Sequence, residues 1–333
     1  MKIVVDSKIP FIRPSLSQLG VELVYLDGAS IGPEDVKDAD ALIVRTRTHC
    51  NASLLDGSKV RYVATTTIGF DHIDTDYMEK NHIRWMNCPG CNASSVEQYV
   101  RSCLLLLQQS GIIRLQEAVL GVVGYGHVGK MIAAMGRSMG MKIQICDPFV
   151  SVEGKVDIQT LEATSDVISY HVPLTRSGQH PTYHLCDGMS FDRMNRCPVL
   201  INTSRGEVVD NLVLLQALRQ GKVREAIIDT WENEPNINTE LLEKVYLGTP
   251  HIAGYSADGK ANADNMVLDD LCRFFSLPRP PKVVPPSLPD TFVYDGNPLQ
   301  LYDPRIDSEA LKRSPSDFEL LRGNYRLRRE HHD

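Results

Sequence analysis

Leu120-Gly-Val-Val-Gly-Tyr-Gly-His-Val-Gly129 decides the fold of this chain. The stretch begins as a short apolar run typical of a buried β-strand and continues into a segment with helical character. Between them, Gly124 permits a tight turn, Gly126 lets the backbone approach a pyrophosphate group, and Gly129 allows close contact between helix and strand. The glycine spacing, placed between a strand and a helix, predicts a dinucleotide-binding unit.

Two further features of this unit predict how it binds a dinucleotide. The helix begins near His127 and Val128, and its free amides and partial positive charge would face the pyrophosphate. Asp147 ends the next predicted strand, where a carboxylate can accept hydrogen bonds from the ribose hydroxyls of the adenosine and repel a 2′-phosphate. The sequence therefore favours NAD over NADP.

Short β-rich runs alternate with helix-like segments along most of the chain, which predicts βαβ units and parallel sheets. Two such series are separated by a long helix at residues 92–109, and a second long helix follows at residues 257–275. The predicted strands are Lys2–Asp6, Ala41–Thr46, Tyr62–Thr67, Ile83–Asn87, Val119–Gly124, Lys142–Asp147, Asp166–His171, Pro198–Thr203, Glu225–Asp229 and Val245–Gly248. The fold class is α/β, with two doubly wound parallel-sheet domains.

The same series predict the domain organisation. Residues 1–92 and 256–280 form one domain, residues 93–255 form the dinucleotide-binding domain, and the cleft between them would hold the chemistry. Residues 277–289 are rich in proline and form a stiff, extended linker. Residues 292–333 contain too few apolar side chains for an independent core. They form either a solvated tail or an arm that packs on the main body or on a second subunit.

Composition excludes several classes of protein. The chain has 333 residues, 42% of them hydrophobic and 23% charged, which is typical of a soluble globular protein. A formal net charge of −7 does not favour a nucleic-acid partner. Asp6 and Lys8 interrupt the first apolar run, which is therefore a β-strand and not a signal peptide. With no apolar stretch near the roughly 18 residues of a membrane span and eight cysteines, we expect a cytoplasmic protein without a membrane partner.

Three polar residues follow the glycine-rich unit, each in its own short motif: Arg205, Glu234 and His251. The motifs are Ile201-Asn-Thr-Ser-Arg-Gly-Glu-Val-Val-Asp210, Asp229-Thr-Trp-Glu-Asn-Glu-Pro235 and Thr249-Pro-His-Ile-Ala-Gly254. Arg205 follows a buried strand, at the sheet edge where α/β sites lie. An imidazole can act as a base near neutral pH, a carboxylate beside it stabilises its protonated form, and a guanidinium binds a carboxylate with two donors.

These motifs, in this order, resemble the D-2-hydroxyacid dehydrogenase family. The resemblance implies hydride transfer between a 2-hydroxy acid and NAD. It implies that Arg205 binds the substrate carboxylate, that His251 accepts the hydroxyl proton and that Glu234 hydrogen-bonds His251. It also implies cofactor contacts for four residues, namely Thr203, Ser204, Asp229 and Gly254. The stretch His171-Val-Pro-Leu-Thr175 matches a family pattern in which the histidine is structural or lines the cofactor pocket.

Three more stretches resemble one branch of that family, whose substrate is a phosphorylated four-carbon 2-hydroxy acid. They are Cys88-Pro-Gly-Cys-Asn-Ala93, Thr249-Pro-His-Ile-Ala-Gly-Tyr-Ser256 and the tail from Tyr302-Asp-Pro-Arg305 to Leu321-Arg-Gly-Asn-Tyr-Arg-Leu-Arg-Arg-Glu330. This resemblance implies a homodimer, with residues 281–333 as a C-terminal dimerisation segment. It also implies that Thr46 and Thr67 contact substrate and that Tyr255 lies beside His251. A phosphate needs a charged partner, and we expect Arg45 or Arg47 to supply it.

Other readings stay open at this point. A related enzyme acting on glycerate, hydroxypyruvate or 3-phosphoglycerate would share Arg205, Glu234 and His251. A non-catalytic NAD-sensing interaction protein could also keep them. The Cys88–Cys91 pair could be a redox pair or half of a zinc site. Because no second pair of this spacing occurs, a structural loop is favoured and no metal is expected.

Overall fold

The computed structural model describes residues 1–330, which divide into two compact units. Unit 1 consists of Met1–Asn92 and Ser256–Asp290, and unit 2 consists of Ala93–Tyr255 together with the described residues from Thr291 onward. Among residues 1–330, none of the helices combines the length and the apolar composition that crossing a lipid bilayer requires. The last three residues of the predicted segment 281–333 lie outside the described residues.

Strands and helices alternate along both units. The strands are β1 (Lys2–Asp6), β2 (Glu22–Leu26), β3 (Ala41–Val44), β4 (Tyr62–Thr65), β5 (Arg84–Met86), β6 (Val119–Val123), β7 (Lys142–Cys146), β8 (Val167–Tyr170), β9 (Val199–Asn202), β10 (Glu225–Ile228) and β11 (Leu247–Gly248). The helices are α1 (Arg13–Leu16), α2 (Pro33–Val36), α3 (Ala52–Leu55), α4 (Thr75–Lys80), α5 (Ala93–Gln109), α6 (His127–Ser138), α7 (Ile158–Thr164), α8 (Gly188–Arg193), α9 (Asn211–Arg219), α10 (Thr239–Lys244), α11 (Ala257–Phe275), α12 (Pro304–Arg313) and α13 (Phe318–Gly323).

Unit 1 is a five-stranded parallel sheet in the order β2-β1-β3-β4-β5, which is the flavodoxin-like order. Its central strand β3 is buried along its whole length, as expected for a strand covered on both faces. Two apolar clusters lie on opposite faces of the sheet. Ile3, Ile43 and α11 contribute to one, and Val4 and Leu42 to the other.

Unit 2 is a six-stranded parallel sheet in the order β11-β10-β9-β8-β6-β7. The chain adds β7 on one side of β6 and β8 on the other, so the strand order reverses at β6. Ligands bind α/β sheets beyond the carboxyl ends of the strands at such a switch point. The prediction of two doubly wound parallel-sheet domains is confirmed.

Side-chain caps determine where many of the helices begin. Ser256 Oγ accepts the Gly259 N–H at 2.8 Å at the start of α11. Asp210 caps α9 by accepting two backbone N–H groups, from Leu212 and Val213. A capping side chain satisfies amides that have no partner within the helix, typically stabilising it by about 1 kcal/mol.

One strand is missing from the sequence prediction. Strand β2 pairs with β1 alone, at the edge of the unit 1 sheet, and its residues are at most half-buried. An edge strand lacks the fully buried, continuous apolar character by which the other strands are recognised. The remaining predicted strands are present, most of them one or two residues shorter than expected.

The C-terminal part of the chain is folded against unit 2. Tyr302, Leu311 and Phe318 are buried, and Leu311 and Phe318 belong to the same apolar cluster as Trp231. The proline-rich segment belongs instead to unit 1. There the backbone of Val283 forms hydrogen bonds of 2.8 and 2.9 Å with the side chain of Asn265. Of the two expectations for the tail, packing on the main body is the one observed.

Candidate active site

The glycine-rich turn between β6 and α6 is shaped by close packing at two of its glycines. Gly124 has a φ of +90°, and a Cβ there would lie 2.5 Å from the carbonyl oxygen of His171. A Cβ on Gly129 would lie 2.0 Å from the carbonyl oxygen of Gly124. Both positions therefore require glycine for folding, whatever the turn binds.

Gly126 differs from its two neighbours because a Cβ there would meet no atom within 4 Å in the described residues. The space beside it, at the first turn of the 12-residue helix α6, is open. The turn and helix thus fit the pyrophosphate of a dinucleotide, with the amides near His127 and Val128 at the helix N-terminus. Packing within the protein does not require glycine at position 126, but the close approach of a pyrophosphate to the backbone would require it.

Asp147 lies directly after β7 and is bound to the same turn. Its Oδ2 accepts the N–H of Tyr125 at 2.8 Å, and its Oδ1 accepts the N–H of Phe149 at 2.9 Å. Each carboxylate oxygen can accept more than one hydrogen bond. The position agrees with a ribose-binding carboxylate, a role that stays a prediction.

Glu234 and His251 form a hydrogen-bonded pair, with 2.8 Å between Glu234 Oε2 and His251 Nδ1. The other oxygen of Glu234 accepts the N–H of Trp231 at 2.8 Å. Burial by itself raises the pKa of Glu234, but hydrogen bonding by His251, its charge, the Trp231 amide and the charge of Arg322 together hold that pKa below its usual value. An ionised carboxylate can only accept, so Nδ1 carries the hydrogen and Nε2 of neutral His251 presents a lone pair.

The backbone at His251 is strained, with a φ of +56°. Hydrogen bonds to the side chain of Asp229 hold the loop in this conformation. The buried carboxylate of Asp229 accepts hydrogen bonds from Thr249 Oγ1 at 2.7 Å and from the backbone amides of Ile252 at 2.8 Å and Ala253 at 3.0 Å. Burial raises the pKa of Asp229, partly offset by His251 and by these donors. A strained residue fixed in this way is typical of a functional position.

Two aromatic residues complete the support of the His251 loop. Tyr99 Oη lies 2.7 Å from Thr249 Oγ1, which in turn donates to Asp229. Trp231 Nε1 donates to the carbonyl oxygen of Thr249 at 2.9 Å. Chains of buried hydrogen bonds of this kind fix one arrangement of a loop.

Arg205 extends from a turn organised by Asn202, the last residue of β9. The buried Asn202 side chain donates to the carbonyl of Arg205 at 2.9 Å and accepts from the amide and hydroxyl of Ser204 at 3.1 and 2.8 Å. A Cβ on Gly206 would lie 1.9 Å from the carbonyl oxygen of Trp231, so glycine is required there. Within the described residues no hydrogen bond or ion pair joins Arg205 to Glu234 or His251; its Nη1 donates to the carbonyl of Ser204.

His171 is not a suitable base. Its Nε2 lies 2.8 Å from Ser169 Oγ, and its Nδ1 lies 3.4 Å from Oγ1 of Thr203, one of the predicted cofactor contacts. Burial lowers the pKa of His171 to about 3, so its ring stays neutral. The interactions agree with a structural role at the strand ends.

The residues predicted to contact the substrate in unit 1 follow β3 and β4. Arg45 is paired with the buried Asp6 through Nε–Oδ2 and Nη2–Oδ1 distances of 2.9 and 3.4 Å. Thr46 and Arg47 are exposed. Oγ1 of Thr67 donates to the carbonyl of Gly69 at 2.9 Å and lies 2.6 Å from the hydroxyl of Thr65. Arg45 therefore has a structural partner already.

Tyr255 belongs to unit 2, four residues after His251. Its ring makes an edge contact with Tyr325, with 6.2 Å between the ring centres, and the guanidinium of Arg322 lies 5.9 Å from its ring centre. The preceding Gly254 lies in the same loop. The tail thus reaches the neighbourhood of the histidine within one chain.

Sequence reasoning missed three residues of this site: Asn202, Arg322 and Arg328. Asn202 sits inside the quoted arginine motif, and an asparagine directly after an apolar strand run is a usable signal. Arg322 lies 67 residues after Tyr255, and Arg328 lies 75 residues after Ala253, the residues near His251 that they contact. Nothing in the local pattern of a charged tail distinguishes a buried arginine from a solvated one.

The cysteine pair is a tight buried turn, in which the Cys91 amide donates to the Cys88 carbonyl at 3.3 Å. The Sγ atom of Cys88 lies within reach of the backbone carbonyls of Thr65 and Ala263, at 3.4 and 3.5 Å. Burial raises the pKa of the Cys88 thiol, so it is not a reactive thiolate.

Comparisons with known proteins agree with this geometry. Residues 94–253 match the family model described as D-isomer specific 2-hydroxyacid dehydrogenase, NAD binding domain. A protein of Bacteroides fragilis named erythronate-4-phosphate dehydrogenase is 49% identical, covering 99% of this chain and 97% of that protein. A Proteus mirabilis protein of the same name is 38% identical, covering 99% of this chain and 93% of that protein.

Solved structures show the same fold. The NAD⁺-bound 3-phosphoglycerate dehydrogenase of Entamoeba histolytica matches with a TM-score of 0.70 at 28% identity, covering 83% of this chain and 95% of that chain. The D-lactate dehydrogenase of Aquifex aeolicus, complexed with NAD and lactic acid, matches with a TM-score of 0.66 at 25% identity, covering 83% and 96%. The chain therefore belongs to the D-isomer specific 2-hydroxyacid dehydrogenase family, an NAD-dependent group in which its full-length relatives are named erythronate-4-phosphate dehydrogenase.

Proposed function

We propose that the protein oxidises 4-phospho-D-erythronate to (R)-3-hydroxy-2-oxo-4-phosphooxybutanoate with NAD, a step in the biosynthesis of pyridoxal 5′-phosphate. The observation that carries the proposal is the Glu234–His251 pair, in which a 2.8 Å hydrogen bond occupies Nδ1 and leaves Nε2 as a base. Full-length relatives at 38–49% identity that carry the name of this activity support the choice of substrate.

The proton of the 2-hydroxyl group goes to Nε2 of His251. As the C2–H bond breaks, the hydroxyl oxygen becomes the carbonyl oxygen, and its proton must leave in the same process. Glu234 stabilises the imidazolium that forms and keeps the ring in one tautomer. The Asp229 network holds the loop, so that the base does not have to be oriented during the reaction.

Arg205 is proposed to bind the substrate carboxylate and to polarise the 2-oxygen. Its planar guanidinium matches a carboxylate with two parallel donors. Asn202 and Gly206 hold the turn from which the side chain extends, one by hydrogen bonds and the other by close packing. Positioning of this kind lowers the entropic part of the barrier.

When bound, NAD would supply the acceptor for the hydride that leaves C2. The residues proposed to hold it are those of the β6–α6 turn, with the helix amides at the pyrophosphate and Asp147 at the adenosine ribose. The remaining proposed cofactor contacts are Thr203, Ser204, Asp229 and Gly254. Of these, Asp229 also holds the His251 loop, so changing it would affect both binding and catalysis.

The phosphate is proposed to be bound by Arg45 or Arg47. Arg45 pairs with the buried Asp6, and both arginines follow the carboxyl end of β3. Thr46 and Thr67 remain proposed substrate contacts. Replacement of the binding arginine, by Arg45→Ala or by Arg47→Ala, should raise the KM for the phosphorylated acid about tenfold or more while changing kcat little, because an anion in a binding site needs a charged partner. Unchanged affinity in both Arg45→Ala and Arg47→Ala would reject this assignment.

Homodimer formation and a cytoplasmic location complete the proposal. Ile306 of α12 and Leu320 of α13 are 70% and 59% exposed, which agrees with a C-terminal segment that meets a second subunit. All eight cysteines are free thiols, as expected in a reducing compartment.

The test is NADH formation by the purified protein with NAD and 4-phospho-D-erythronate, with D-glycerate and 3-phosphoglycerate assayed alongside. His251→Ala should lower kcat by about 10²–10⁴-fold, the usual contribution of a general base. A single-turnover trace is also recorded, because slow release of NADH could hide turnover in a steady-state assay. Preference for a smaller acid would overturn the substrate but keep the mechanism, and no turnover with any acid would favour an NAD-sensing protein.

A further inference from the structure

The guanidinium of Arg322 lies close to the Glu234–His251 pair. Arg322 of α13 places Nη1 3.9 Å from Oε2 of Glu234, the same oxygen that accepts the Nδ1–H of His251. The side chain of Arg322 is 26% exposed and that of Glu234 is 18% exposed. In such a partly buried place, water and salt screen the interaction between the charges only in part.

Arg322 is held at this place by several contacts. Its guanidinium lies 5.9 Å from the ring centre of Tyr255 and 3.9 Å from Glu319, one turn earlier on the same helix. Its Nε is buried and has no hydrogen-bond partner within residues 1–330. Burial acts to lower the pKa of Arg322, but Tyr255 and Glu234 raise it by more, so the group is charged at every relevant pH.

Two ionisable groups interact with the pair directly: Asp229, at a strand end, with His251, and Arg322, in the tail, with Glu234. Further ionisable groups interact with Asp229, with Arg322 or with one another, namely Tyr255, Asp307, Glu319, Tyr325 and Arg328. Asp229 is occupied by three donors of the His251 loop. Among the described residues, Arg322 is the one cation apart from His251 that forms an ion pair with Glu234.

We propose that Arg322 is a positioning residue for the oxidation: its charge offsets part of the charge of Glu234, so that Glu234 holds the ring of His251 while stabilising the imidazolium less strongly than it would without this cation. Without Arg322, the carboxylate would stabilise the imidazolium more strongly. The base would then remain protonated, and inactive in oxidation, up to a higher pH. This inference rests on the proposed function, in which His251 accepts the proton.

The experiment compares three variants of the full-length chain. Arg322→Met removes the charge at similar volume, Arg322→Lys keeps the charge, and Arg326→Met removes an exposed arginine from the same tail. The pH dependence of kcat/KM for oxidation is measured for each. In Arg322→Met the acidic limb of the profile should move up by about one pH unit. Activity at pH 7 should fall by up to about tenfold and return at higher pH, while the other two variants keep the original limb.

A second measurement requires no turnover. The ring protons of His251, assigned by their absence in His251→Ala, are titrated by NMR in wild-type protein and in Arg322→Met. The midpoint should rise in the variant by about the same amount as the kinetic limb. Because this titration does not depend on any substrate, it can succeed even where the proposed function fails, and the two failures are distinguishable.

Two results would overturn the inference. If Arg322→Met lowers kcat/KM by the same factor at every pH and the NMR midpoint does not move, Arg322 is a structural residue only. If the variant raises KM with both the limb and the midpoint unmoved, Arg322 binds the substrate anion directly. Thermal unfolding of each variant verifies that the protein remains folded.

Discussion

The carboxylate of Glu234 is ionised and shared by two donors, and its replacement should move the pH profile in the opposite direction to that expected for Arg322. In Glu234→Gln the amide has a single acceptor oxygen for two donors, Trp231 N–H and His251 Nδ1–H, and the negative charge is lost. We expect kcat to fall by about 10–100-fold, part of the contribution that a general base makes.

The Glu234→Gln experiment is informative chiefly through the direction in which the acidic limb of the pH profile moves. Loss of the carboxylate destabilises the imidazolium, so the acidic limb of kcat/KM should move to lower pH. The profile is measured between pH 5 and 9, beside that of Arg322→Met. A limb that moves upward in Glu234→Gln would contradict the pairing of Glu234 with His251 in the active enzyme.

Asp264 of α11 is a buried acid in unit 1, only 1% exposed. Burial raises its pKa to about 7, against the opposing effects of the Phe11 amide and the Lys260 charge. The folded-state pKa therefore lies above the unfolded value. The group's stabilising contribution is fully present below pH 3.8 and is lost as pH rises toward 7, by about 4 kcal/mol in total.

Asp264→Asn should remove this pH dependence, because an amide does not ionise. Thermal unfolding followed from pH 5 to pH 8 should show the wild-type midpoint falling as pH rises, and a flatter curve for the variant. Asp290→Asn, which changes an exposed aspartate, is the matched control. Equal slopes in wild type and Asp264→Asn would show that Asp264 is already ionised in the folded protein at pH 5.

At the scale of elements, two substitutions in the turn between β6 and α6 should distinguish an effect on folding from an effect on cofactor binding. Gly126→Ala adds a methyl group into open space, whereas Gly129→Ala places it 2.0 Å from the carbonyl oxygen of Gly124. We expect Gly126→Ala to keep the thermal midpoint while weakening NAD binding about tenfold or more, because the methyl group occupies the approach of the pyrophosphate. We expect Gly129→Ala to lower the midpoint. NAD affinity is measured by fluorescence titration. If Gly126→Ala binds NAD as tightly as the wild type, the pyrophosphate does not approach the backbone at Gly126.

The tail stabilises the His251 loop through Arg328, which is 7% exposed. Its guanidinium donates to five backbone or side-chain oxygens of the loop and of α5, and it stacks on Tyr302 with 4.0 Å to the ring centre. The acceptors are Ser95 O, Gln98 Oε1, Ile252 O, Ala253 O and Tyr255 O. Arg328 thereby joins three segments of unit 2.

Arg328→Met retains the apolar stem but leaves buried carbonyls without a donor. The free energy of unfolding should fall by about 3 kcal/mol or more, since each unsatisfied buried group costs about 1–3 kcal/mol. kcat should fall with it, because the loop carrying His251 loosens. Urea unfolding and steady-state kinetics measure both, with Arg326→Met as the control. Loss of stability without loss of kcat would show that the loop holds its geometry without the tail.

At the scale of the whole molecule, light scattering on the eluting protein should give twice the chain mass of 37.2 kDa. Ile306→Asp, on the exposed side of α12, should shift the protein toward the monomer, because a charge at an apolar subunit contact is costly to bury. Leu212→Asp, at a leucine of α9 that is 64% exposed, is the control. A wild-type monomer would reject the proposed dimer.

Sequence reasoning predicted the features that depend on neighbours along the chain. Buried strands are recognisable in the sequence as short apolar runs, so both parallel sheets could be predicted. The glycine-rich turn is recognisable by the spacing of its glycines. The pairing of Glu234 with His251 came from family resemblance, and the structure places them 2.8 Å apart. Edge strand β2 and the buried arginines could not be predicted, because exposure and partners far along the chain decide their character.

The contacts of Arg328 also set an order of events during synthesis. The arginine follows the Ala253 carbonyl that it binds by 75 residues. At about 5–20 residues per second, the ribosome needs roughly 4–15 s to add that length of chain. The sheet of unit 2 can form during this interval, but the loop that carries His251, the proposed base, lacks the hydrogen bonds that Arg328 donates. A nascent chain therefore passes through a stage in which the parallel sheet of unit 2 has formed but the loop of His251, the proposed proton acceptor, is not yet held by the tail.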